Sequence, residues 1–174
     1  QWGPGSATVD TNLYRTAVNT LRTDSNWQVG GIGQEKYSAK TSDETRTNTT
    51  TYQDDSALAI PLDANSTYVI DGYLTYVTPS AATGIAFAFY YTGTSSMGSW
   101  TPDGESGSVS SDTGTIRRAV GGIQNQSSAT GASGFALTAT ATPNPLAVKP
   151  YGVIRTTTAG TLRLCWTQVA ANAT

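Results

Sequence analysis

From Trp27 to Ala170 hydrophobic and polar positions alternate mostly with a period of two, the mark of strands that bury one face. Leu58, Ile60 and Leu62 alternate with Ala and Pro, and Asp63-Ala64-Asn65-Ser66 is a turn cluster before residues 67–78. There Val69, Asp71, Tyr73, Thr75 and Val77 share one face and Tyr68, Ile70, Gly72, Leu74 and Tyr76 the other, which predicts a hairpin. Pro61 has no amide hydrogen for a ladder, so its strand is expected at an edge or a bulge. Ile85, Phe87, Phe89 and Tyr91 alternate with Ala86, Ala88 and Tyr90; both faces are apolar, and this strand is expected in the middle of a sheet. Residues 135–142 oppose an apolar face to a hydroxyl face and stop at Pro143-Asn144-Pro145. Residues 149–157 and 161–170, joined through Thr158-Ala159-Gly160, predict a second hairpin. Between 93 and 134 Gly and Ser dominate, and a long loop is expected, with short strands at most around 108–120.

Residues 11–24 alone carry helical spacing. Leu13, Tyr14, Ala17, Val18 and Leu21 form one stripe after the caps Asp10 and Thr11, while Thr16, Asn19, Thr20 and Thr23 are poor helix formers. Two readings stay open: a helix packed on its own domain, and an irregular, partly extended neck whose apolar residues meet symmetry mates. The whole pattern predicts an all-β chain, a β-sandwich of seven or eight strands with a jelly roll as one solution. It divides into a linker or stalk end over residues 1–10, a neck over 11–30 and a head domain over 31–174.

Composition sharpens this picture. Charged residues are 13% of the chain, against about 25% on average, while 30 Thr and 17 Ser give a neutral, hydroxyl-rich surface. Leu, Ile, Val and Phe fill only 29 of 174 positions, so a thin core is expected, completed by Ala, Tyr and Thr and by neighbouring subunits. A net charge of −2 without a block of Lys or Arg leaves nothing to neutralise a phosphate backbone, and nucleic acid is not an expected partner. Apolar runs such as 57–62 and 85–91 fall far short of the roughly 20 residues of a membrane helix. The single Cys165 lies in a strand-like run, which favours buried packing over reactivity. The opening Gln1-Trp2-Gly3-Pro4-Gly5-Ser6 has neither the basic nor the apolar region of a signal peptide and reads as the end of a Gly/Pro-rich stalk in an excised piece.

Chemistry is sparse. The chain has no His, which removes the Ser-His-Asp triad and the commonest zinc ligand. Gly30-Gly31-Ile32-Gly33-Gln34-Glu35-Lys36 lacks the spacing of a phosphate-binding loop and the hydroxyl after its Lys. A two-carboxylate glycosidase needs only a pair of acids, and Asp43, Glu44, Asp54, Asp55, Asp71, Asp103 and Glu105 are the candidates. Adjacent Asp54 and Asp55 point to opposite faces of a strand and make a poor dyad. No Asp-x-Asp-x-Asp spacing marks a cation loop, and no cofactor is expected. Trp100, between Gly98-Ser99 and Thr101-Pro102-Asp103-Gly104, reads as a loop tip, either an anchor for its loop or a ligand contact. Trp166 is expected in the core or at a subunit interface.

Three patches together suggest a family. Thr11-Asn12-Leu13-Tyr14-Arg15 with Leu21-Arg22-Thr23-Asp24 and Gly30-Gly31 is similar to the segment after the shaft in fibre and minor tail proteins of phages infecting actinobacteria. Residues 40–51, leading to Asp54-Asp55 and residues 58–62, and Ala159-Gly160-Thr161-Leu162 running to Trp166-Thr167-Gln168, resemble the same group. Residues 93–134 match nothing in it. The resemblance implies a non-enzymatic virion component on the tail or capsid surface, a homotrimer ending in a β-sandwich head, with other virion proteins and host cell-surface glycan as partners. Leu13, Tyr14, Val18 and Leu21 are then the expected contacts about the threefold axis. A carbohydrate-binding module of a secreted bacterial protein is the alternative, usually a monomer on a linker; a carboxylate glycosidase is the third reading.

Overall fold

The computed structural model describes residues 14–17, 20–22, 35–78, 83–106, 115–118, 120–137 and 145–172. The chain forms two compact units, residues 1–36 and 37–174. In the first, strands β1 (Tyr14–Ala17) and β2 (Thr20–Arg22) pair antiparallel, Tyr14 opposite Arg22 and Arg15 opposite Leu21. The helical reading of this stretch is therefore corrected: its Thr residues prefer extended backbone, and the periodicity of a few apolar residues does not outweigh them. Tyr14 and Leu21 lie on β1 and β2, whereas Leu13 and Val18 fall outside the described residues.

The second unit is a sandwich of two sheets. In one, β3 (Gln53–Leu62) pairs with β13 (Gly160–Gln168), β13 with β6 (Ile85–Tyr91), and β6 with the short β10 (Gln124–Asn125) and β11 (Phe135–Leu137). In the other, β4 (Thr67–Asp71) and β5 (Leu74–Tyr76) flank β12 (Leu146–Thr156), which pairs with β7 (Ser95–Ser106), and β7 with β8 (Thr115–Arg118) and β9 (Gly121–Gly122). All pairings are antiparallel except β10 with β6. The chain changes sheet between β3 and β4, β5 and β6, β6 and β7, β9 and β10, β11 and β12, and β12 and β13. With the first strand of the sandwich beside the last, this is the strand order of a jelly roll. Pro61 sits on the edge strand β3, and β6 lies inside its sheet, as the pattern predicts.

Both predicted hairpins are corrected by this topology. Strands β3 and β4, and again β12 and β13, lie in opposite sheets, so the short connections between them are corners. The turn chemistry is local and reads the same in either case, whereas the partner that decides is distant: β4 pairs with β12. The corners hold one another. Thr156 Oγ1 donates to Asp63 O at 2.6 Å and accepts from the Ser66 amide at 3.0 Å, while the Thr157 amide donates to Thr94 O at 2.7 Å and Tyr91 Oη to Thr158 O at 2.7 Å. Glycine is needed where they meet, since a Cβ on Gly160 would lie 2.4 Å from Gly93 N.

The loop expected over 93–134 is corrected too, because β7 runs for twelve of those residues. Its inward positions are Gly98, Trp100, Pro102 and Gly104, which carry a single large apolar side chain, so the alternation is hidden. Pro102 faces Pro150 across the ladder, the one kind of antiparallel site, a non-hydrogen-bonded pair, where two residues without amide hydrogens lose nothing. Trp100 is 1% exposed and packs edge-on against Phe89 at 4.9 Å and Phe135 at 5.1 Å between ring centroids. It joins Leu62, Ile85, Phe87, Leu137, Val148, Ile154 and Leu164 in the core between the sheets. On the outer side of β6 a second small cluster, Ala88, Tyr90, Ala129 and Cys165, is covered by Tyr52 and Ala132.

Candidate functional site

Trp100, the expected ligand contact, is at the centre of the core and reaches no surface; its Gly and Pro neighbours mark a crowded inward strand face, not a loop tip. Cys165 is buried with Sγ 3.5 Å from Ala88 O, and burial together with the Asp54 carboxylate pushes its thiol up to about 12. Both residues are structural.

The charged residues gather elsewhere, beside a bulge in β3. Between the pairs Arg163–Ala59 and Cys165–Asp54, residues 55–58 stand opposite Leu164 alone, and the extra chain loops out. Asp55 closes that loop: its Oδ1 accepts from the Ala57 and Leu58 amides, each at 3.0 Å, an aspartate-backed turn. Its Oδ2 accepts from Lys40 Nζ at 2.6 Å and Trp166 Nε1 at 3.3 Å. Lys40 also binds Glu44 Oε2 at 3.0 Å, and that oxygen accepts from the Ser56 amide at 3.0 Å and hydroxyl at 2.9 Å. Arg46 Nη2 pairs with Glu44 Oε1 at 2.6 Å and donates to Asp54 O at 2.6 Å; its Nη1 bonds Gln53 Oε1, and the guanidinium lies 4.5 Å over the Trp166 ring. Residues 40–46 thus strap the bulge through a row of alternating charges, Asp55, Lys40, Glu44 and Arg46.

The electrostatics of the row bear on its chemistry. Burial opposes ionisation of Glu44, but the Ser56 and Lys40 hydrogen bonds and the Arg46 charge outweigh it and hold the carboxyl at about 2. Burial likewise works against the Lys40 charge, and its bonds to Asp55 and Glu44 reverse this, so its pKa is raised. A carboxylate so low has no proton to give at neutral pH, which is what a general acid requires. Asp54 faces the other way, as strand alternation predicts: it accepts from Tyr90 Oη at 2.7 Å and Arg163 Nη1 at 3.3 Å. Burial and this carboxylate raise the Tyr90 phenol well above its ordinary value. Among the described residues no three His, Cys, Asp or Glu side chains gather as a metal site, and no helix is long and apolar enough to cross a membrane.

Next to the strap lies a groove of about 810 Å³. Residues 38–45 and 73–77 line it, together with Asp55, Leu58, Ile85, Phe87, Pro145, Leu164 and Trp166. The sequence offers Asp43, Glu44 and Asp55 as candidates for a two-carboxylate pair. The spacing of Lys40 and Glu44 is visible in it, but nothing there ties either to Asp55 or brings Tyr73 into the same groove. No family model, curated protein or solved structure matches the chain.

Proposed function

We propose that this chain is a non-enzymatic structural domain of a bacteriophage virion, a fibre or minor tail head that assembles as a homotrimer on the particle surface and presents its exposed surfaces to the host. The observation that carries the reading is the jelly-roll strand order, an architecture used by viral shell domains and by lectins. A fold supports many functions, and the particular one is supported by the resemblance of three patches to actinobacteriophage fibre proteins. Two of those patches are neighbours in space, since the strap with β3, and β13 with Trp166, share the Asp55 and Arg46 contacts. The charges of the strap bind one another, which supports a holding role over a catalytic one. Light scattering of the full chain, with residues 11–24 present or deleted, tests the reading. Three chain masses falling to one on deletion are expected; a single chain mass in both samples would favour a sugar-binding module tethered by a linker.

A further inference from the structure

We infer that the groove between the strap and residues 73–77 binds a neutral oligosaccharide, with Tyr73 as the stacking surface and the segment Thr41-Ser42-Asp43 as the hydrogen-bonding wall. This deepens the attachment reading above and rests on it for the biological source of the glycan. The volume of about 810 Å³ is that of a small-molecule site, in the range of about 300–1,000 Å³.

Charge selects the ligand class. Lys40, the one cation lining the groove among the described residues, is held between Asp55 and Glu44 at 2.6 and 3.0 Å, and Asp43 adds a negative charge without an ion pair of its own among the same residues. Among the described residues a phosphate or carboxylate ligand finds no unpaired cation there and meets the unpaired carboxylate of Asp43, whereas an uncharged polyol meets neither obstacle. Tyr73 is 71% exposed and lines the groove, and a large aromatic ring in water beside a concave site is a platform for the C–H face of a sugar. Thr41, Ser42 and Asp43 line the same groove, with hydroxyls and a carboxylate of the kind that sugar hydroxyls satisfy. The wall is preorganised, because Lys40 and Glu44 pin both of its ends to the β3 bulge, which lowers the entropy lost when a ligand is bound.

Isothermal titration of the full chain with glucan, mannan and galactan hexasaccharides tests this. At least one is expected to bind with a Kd between about 10 μM and 1 mM, corresponding to modest free energies. Tyr73→Ala is expected to weaken it about tenfold or more, the size of a lost stacking contact. Asp43→Asn is expected to weaken it by a smaller factor, and Val69→Ala, on an exposed residue outside the groove, to leave it unchanged. No heat with any of the three at millimolar concentration, or binding that Tyr73→Ala does not alter, overturns the inference. So does a change of oligomeric mass in Tyr73→Ala, since the ring is then a subunit contact. Light scattering on the same samples separates the two readings: a monomer that binds saccharide keeps the groove and removes the trimeric fibre, and a trimer that binds none does the reverse.

Discussion

The two ends of the sandwich are held by different forces. At one, the corners around Asp63, Thr94 and Thr158 are tied mainly by hydrogen bonds between backbone and hydroxyl groups, Thr156 at their centre and two glycines in contact, with the Asp63 carboxylate accepting from Tyr68 Oη at 3.0 Å. At the other, the strap lies on the β3 bulge through a row of charges and leaves a groove beside it. Neutral bonds between backbone and hydroxyls are indifferent to pH and salt, while ion pairs near the surface weaken with both. The end that is shut is therefore the less sensitive to its medium, and the end that is open the more.

Removing Asp55 is the strongest way to break this comparison. Asp55→Ala takes the nearer of two carboxylates from Lys40 and strands the Trp166 N–H and the Ala57 and Leu58 amides at once, and is expected to cost about 3 kcal/mol in urea denaturation, the low end for a broken buried pair because Lys40 is partly in water and keeps Glu44. Hydrogen exchange is expected to quicken at Ala57 and Leu58 and stay unchanged at Ser66 and Thr157. The converse change, Thr156→Val, leaves the Ser66 amide without its hydroxyl acceptor and Asp63 O without its donor, and is expected to cost about 2 kcal/mol, with exchange rising at Ser66 and not at Ser56. Acid is the gentlest probe. The Glu44 carboxyl is held at about 2 against an ordinary 4.5, so its contribution is complete above pH 4.5 and is lost as pH falls from there towards 2. The expected loss is about 1 kcal/mol after solvent screening, read as falling protection of the Ser56 amide while the corner amides hold.

How far the sequence revealed the molecule depends on whether a signal is local. Strand β6 was legible because seven consecutive residues are apolar on both faces, and its place inside a sheet follows from that burial. The opposed directions of Asp54 and Asp55 were legible from strand alternation alone. Strand β7 was not, since Gly98, Pro102 and Gly104 occupy the inward positions that hydrophobic residues would mark, and Trp100 stood out as a loop residue for the same reason. The corners were misread as hairpins because a short Gly- or Asn-containing turn serves both; Asn65, with φ of 51°, adopts the left-handed backbone common to many turns. The groove was the least legible part. It is assembled by a strap, a bulge and the strand β5, and the bonds that unite them, such as Lys40 to Asp55, have no period.

Strand β13 lies between β3 and β6, paired with both, and it is synthesised after every other strand of the sandwich. The sheet is thus built round a segment that does not exist until its neighbours have been made, and the contacts it closes, such as Leu162 with Tyr91 and Trp166 with Gln53, are distant in sequence, a topology that folds slowly because loop closure precedes the gain from pairing. Until then the unpaired edges of β3 and β6 are exposed to other growing chains. Closure of this sheet therefore waits for β13, which inserts between two strands made before it.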